Sequence, residues 1–77
     1  MNNDRRKRLS EIYSQLEQLG SDLESIRDEE QEAFDNMPES MQGSDRGSQM
    51  EDSINALEEA IGNLEDARNS IDTAKGE

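Results

Sequence analysis

Seventy-seven residues with twenty acids against eight bases, a formal net charge of −12 and only 29% hydrophobic side chains make one small domain at most, without a sizeable core. The absence of histidine and cysteine removes disulfides, zinc sites and the usual histidine or thiol constellations of catalysis. No apolar run approaches eighteen residues and the start Met1-Asn2-Asn3 has no hydrophobic signal region, so a membrane span and secretion are not expected and a cytoplasmic location is.

A chain this polar lies near the disordered regime. Two tracts of strict 3-4 apolar spacing argue against disorder, because a random polar chain does not place its few apolar residues on one face. The first tract is Leu9, Ile12, Leu16, Leu19, Leu23 and Ile26, then Ala33 and Met37, broken at Glu30. Asn2, Asn3 or Asp4 can cap it and Pro38 ends it, which predicts a helix over about 4–36. Tyr13 and Phe34 lie beside this stripe and widen it, as suits a bundle of three or four helices.

Met37–Gln42 predicts one short turn with Pro38 near its first position, and Gly43-Ser44-Asp45-Arg46-Gly47 reads as a loop. Ser48-Gln49-Met50-Glu51 has the form of a capping box opening a second helix over about 48–75. Its apolar stripe is Met50, Ile54, Leu57, Ile61, Leu64 and Ile71, broken at Arg68. The expected architecture is all-α: an antiparallel, coiled-coil-like hairpin forming a single domain over residues 1–77. A lone hairpin buries little and has no staple, so self-association into a four-helix bundle or larger oligomer is expected as well.

A second stripe on the later helix, Ser53, Ala56, Ala60, Asn63, Ala67, Ser70 and Ala74, excludes charge throughout and predicts the oligomer interface. Away from both stripes lie acidic pairs at seven-residue spacing: Glu51, Asp52, Glu58, Glu59, Glu65, Asp66 and Asp72. At 1.5 Å rise per residue the pairs are about 10.5 Å apart. Duplex DNA carries about six charges over that length against two here, so a single helix is a thin nucleic-acid mimic and only a bundle approaches the density. The competing reading is a solvated face.

Arg5-Arg6-Lys7-Arg8 is the one basic cluster, set against nineteen acids and four bases in residues 9–77, a net of −15. Cations at a helix N-terminus oppose the helix dipole and ask for a reason. Either Asp66, Asp72 and Glu77 lie close in an antiparallel hairpin, or the arginines Arg5, Arg6 and Arg8 form an anion pocket with Tyr13 as a stacking group. Glu30 and Arg68 each break a stripe. With a bend near residue 43, Glu30 falls opposite roughly residue 57, so a Glu30–Arg68 pair would need a second chain, and otherwise Arg68 snorkels outward. No cofactor, metal or catalytic residue is expected.

The stretch Arg27-Asp28-Glu29-Glu30-Gln31-Glu32-Ala33-Phe34-Asp35-Asn36-Met37-Pro38-Glu39-Ser40, with the basic start and acidic remainder, resembles small helical proteins of bacteriophages and mobile elements. The resemblance implies an accessory, anti-defence role in a host cytoplasm. The first expectation is a non-catalytic inhibitor whose acidic face meets a basic host protein. The alternatives are an oligomeric sponge for a nucleotide signal and a structural coiled coil. Partners are then a second copy, a basic protein or a small nucleotide, with no duplex nucleic acid and no membrane.

Overall fold

Asn2 opens the first helix by accepting the backbone N–H of Arg5 at 2.9 Å, satisfying one of the donors that a helix start leaves bare. In the computed structural model, which describes residues 1–76, that helix (α1) runs unbroken over Asn3–Asp35. Pro38 cannot continue it and instead caps a single turn, α2 (Glu39–Gln42). The Gln42 side chain reaches back and donates to the carbonyls of Phe34 and Met37 at 3.1 and 3.2 Å, bracing α2 against the end of α1.

The second long helix, α3 (Asp45–Lys75), begins three residues earlier than the capping-box pattern at Ser48 implies. Ser44 is the cap, accepting the Gly47 N–H at 3.3 Å while its hydroxyl donates to the Met41 carbonyl. Ser48 already lies inside the helix, its N–H bonded to the Ser44 carbonyl at 2.9 Å. The physical reason is Gly47, read from sequence as loop. It is buried, and a Cβ there would collide with the Gln42 backbone, whose carbonyl carbon lies 2.6 Å from the Cβ position. Only glycine lets α3 start this close behind α2.

The two long helices pack side by side into a rod of 58 × 15 × 12 Å. Its radius of gyration is 17.4 Å; a compact globule of this length would have about 11.5 Å. Arg6 at the start of α1 bonds to Lys75 at the end of α3, which makes the pair antiparallel. The fold is all-helical, a helical hairpin.

The seam is a regular 3-4 series, but not the one the apolar residues suggest. On α1 the half-buried series is Arg6, Leu9, Tyr13, Leu16, Gly20, Leu23, Arg27, Glu30 and Phe34, with Ser10 beside it and Met37 following beyond the helix end. Ile12, Leu19 and Ile26, counted in the same stripe, are instead 45%, 52% and 51% exposed. A two-helix seam covers only two seven-residue rows, and α1 offers three. The row containing both aromatic rings, the largest apolar surfaces in the chain, goes in, and the isoleucine–leucine row stays out. On α3 the stripe of Met50, Ile54, Leu57, Ile61, Leu64, Arg68 and Ile71 does face the seam. Ile54, 5% exposed, is the single apolar side chain fully buried among the described residues. The chain reverses over α2, so Glu30 lies near Arg46, Gln49 and Met50 instead of residue 57.

Candidate functional site

Arg68 occupies a core position of α3, where the helix stripe aims its side chain at α1. It does not simply snorkel outward. Its guanidinium carbon lies 5.8 Å from the centroid of the Tyr13 ring, and Nη1 lies 3.8 Å from a Glu17 carboxylate oxygen. The side chain is only 27% exposed, and its Nε is buried with no hydrogen-bond partner. A guanidinium N–H that is desolvated without an acceptor costs about 1–3 kcal/mol.

Lys75 adds a second cation to the same ring, with Nζ 6.0 Å from the Tyr13 centroid. Both lie within the range at which a cation is drawn to an aromatic face. Arg6 completes the cluster at the open end of the hairpin, its Nε donating to the Lys75 carbonyl at 3.0 Å. Two cations of α3 therefore lie over one half-buried tyrosine, and Arg6 ties down the backbone of the second of them. Arg68 also lines an open groove of about 350 Å³, together with Ser14, Glu17, Gln18, Gly20, Ser21, Glu24 and Ile61. Gly20 makes the room, since nothing lies within 4 Å of the position a Cβ would take.

The N-terminal arginines, grouped as one pocket from sequence, part company on the helix. Arg6 turns into the seam, and its donation to a terminal carbonyl of α3 is a cation complementing a helix C-terminus. That contact supplies the reason for a basic residue at the start of α1. Arg5 and Arg8 are exposed on another side, next to Met1, Leu9 and Ile12, with Arg8 3.5 Å from Asp4 in a surface pair. Tyr13 is thus brought together with Arg68 and Lys75 of α3, while Arg6 reaches the same end of the hairpin through the Lys75 carbonyl. Glu77, offered as a neighbour of this cluster, lies outside the described residues.

The acidic residues Glu51, Asp52, Glu58, Glu59, Glu65, Asp66 and Asp72 are all exposed along α3. The small-residue stripe divides: Ala60, Ala67 and Ala74 are half-covered at the margin of the seam, while Ser53, Ala56, Asn63 and Ser70 are exposed. Among the described residues, no helix is long and apolar enough to cross a membrane.

No protein-family model, curated protein or solved structure matches this chain.

Sequence reasoning named Tyr13 and flagged Arg68 as a break, but did not join them. The missing signal was register: with Arg6 opposite Lys75, residue 68 falls beside Tyr13. Lys75 carried no mark beyond being a base in a last turn, and Gly20 none beyond being a glycine inside a helix.

Proposed function

We propose that this chain is a non-catalytic binding protein that sequesters a phosphate-bearing nucleotide through Arg68, Lys75 and Arg6, with Tyr13 as the aromatic contact. The observation that carries this reading is the Arg68 guanidinium over the Tyr13 ring, part-exposed and held only by a 3.8 Å contact to Glu17. Its inner Nε is walled off, so a ligand oxygen meets the outer nitrogens, and guanidinium is the group best shaped to hold a phosphate. The same ligand competes with Glu17 for Arg68, so binding is an exchange of one anion for another. That exchange is selective: a weak monoanion gains little over Glu17, whereas a diphosphate or cyclic dinucleotide brings more charge and a base to stack.

Calorimetry against cyclic dinucleotides and ADP-ribose derivatives tests the idea. Binding heat is expected for at least one of them with the native protein and is lost in Arg68→Met and Tyr13→Ala. Absence of heat for every probe at protein concentrations of about 100 μM would end it, since that excludes dissociation constants of any sequestering use.

A second reading is favoured by the uninterrupted exposure of the acidic pairs on α3, which suits docking onto a basic protein of nucleic-acid or defence chemistry. Reversing Glu58, Glu59, Glu65 and Asp66 to Lys abolishes such binding and leaves nucleotide heat unchanged. A capture that survives the reversal removes this reading.

A further inference from the structure

We infer that two copies of this chain pair through the outer face of α1, antiparallel, about a twofold axis at Leu19. Ile12, Leu19 and Ile26 recur every seven residues on α1 and are each about half exposed, a row that α3 leaves uncovered. Seven-residue spacing of branched apolar side chains is what a second helix needs for knobs-into-holes packing. Among the described residues the hairpin buries a single apolar side chain, Ile54, so the row is a large share of the apolar surface left uncovered.

The holes are present as well. Leu19 and Leu23 form one apolar groove with Ala60 and Leu64, where the alanine of α3 leaves space for an incoming side chain. Met1, Leu9 and Ile12 line another. Turning a second copy about Leu19 brings its Ile26 against the groove beside Ile12 and its Leu19 into the groove beside Ala60. The apolar contact from residue 12 to residue 26 spans about 21 Å of helix.

Charge selects both the partner and the direction. Flanking the exposed row is another at seven-residue spacing: Arg8, Gln15, Asp22 and Glu29. Antiparallel pairing sets Arg8 opposite Glu29 of the second copy and Gln15 opposite Asp22, twice each by symmetry. Parallel pairing would set Arg8 on Arg8, Asp22 on Asp22 and Glu29 on Glu29, three like-with-like contacts. Arg8 is free to re-pair, because its contact with Asp4 is 3.5 Å long between side chains 70% and 76% exposed. The row is self-complementary in one orientation only.

The native chain has no cysteine, so engineered thiols report the geometry without background. Light scattering of the full chain at micromolar concentration is expected to give a two-chain mass or a multiple of it. Leu19→Lys, whose side chain lies at the surface of the single hairpin, should keep the helical spectrum and weaken association roughly a hundredfold. Under mild oxidation, Ile12→Cys mixed with Ile26→Cys should form a mixed disulfide dimer, whereas either variant alone should not. A single-chain mass for the native protein overturns the inference. So does self-linking of Ile12→Cys, which would mean parallel pairing, and so does a dimer in which the mixed thiols never link. All arms are read without nucleotide, so they stand or fall separately from the ligand reading.

Discussion

Arg6 and Lys75, sixty-nine positions apart, are joined by a hydrogen bond of 3.0 Å from the arginine Nε to the lysine backbone carbonyl. The bond ties the first turn of α1 to the last turn of α3 and closes the end of the hairpin opposite the bend. A charged donor on a helix-terminal carbonyl contributes about 1.5–3 kcal/mol when shielded, and about the lower figure at a partly open end like this one. Arg6→Ala should therefore cost about 1.5 kcal/mol. Amide exchange should quicken at Ile71–Lys75 and hold steady around Ile54. Uniform acceleration along α3 would show that the bond does not act as a local tie.

Gly47 presents the opposite problem, a position where adding one carbon is costly. A methyl there meets the Gln42 and Met41 backbone, which has no flexible end to move aside. Gly47→Ala is expected to destabilise by about 1–3 kcal/mol, as overpacking does. The midpoint of thermal unfolding should fall by roughly 4–8 °C per kcal/mol at this chain length. A neutral result would place the start of α3 further from α2.

Gly20 lies in the interior of α1 with open space around it. Gly20→Ala should stabilise by about 0.5–1 kcal/mol, because alanine loses less backbone freedom on entering a helix. The same methyl narrows the groove beside Arg68. Thermal melting should rise while nucleotide heat falls, and a simultaneous rise of both would show that the groove takes no part in binding.

Arg68→Met separates structure from ligand most directly. The thioether fills the seam and removes a desolvated N–H, so stability should hold or improve by about 1 kcal/mol. The partly exposed Glu17 contact is too weakly held to offset this. A large loss of stability would mean that the guanidinium is a structural part of the seam.

The hairpin was legible from sequence because periodicity survives any choice of partner. Met50, Ile54, Leu57 and Ile61 face the seam as their spacing requires. What spacing alone could not decide was which two of three rows on α1 would be covered. Ile12 and Leu16 are equally apolar, and only the placement of Tyr13 and Phe34 across from α3 separates them. The start of α3 was missed for a similar reason. Ser44 and Ser48 are both good caps, and the choice was made by a backbone contact at Gly47 that has no sequence pattern of its own. The Tyr13–Arg68 cluster depended in turn on that register.

The bend at Pro38–Ser44 also dictates the order in which the molecule zips shut. Contacts near it, such as the groove shared by Phe34 and Ile54, close a loop of about twenty residues, whereas the Arg6–Lys75 contact closes one of sixty-nine. That difference is worth about 1 kcal/mol of chain entropy if each were formed alone. Zipping therefore runs outward from the bend, and fraying begins where the termini meet. Tyr13, Arg6 and Lys75 sit at that fraying end, so a bound anion gripping both helices would act as a clasp on the last part of the molecule to close.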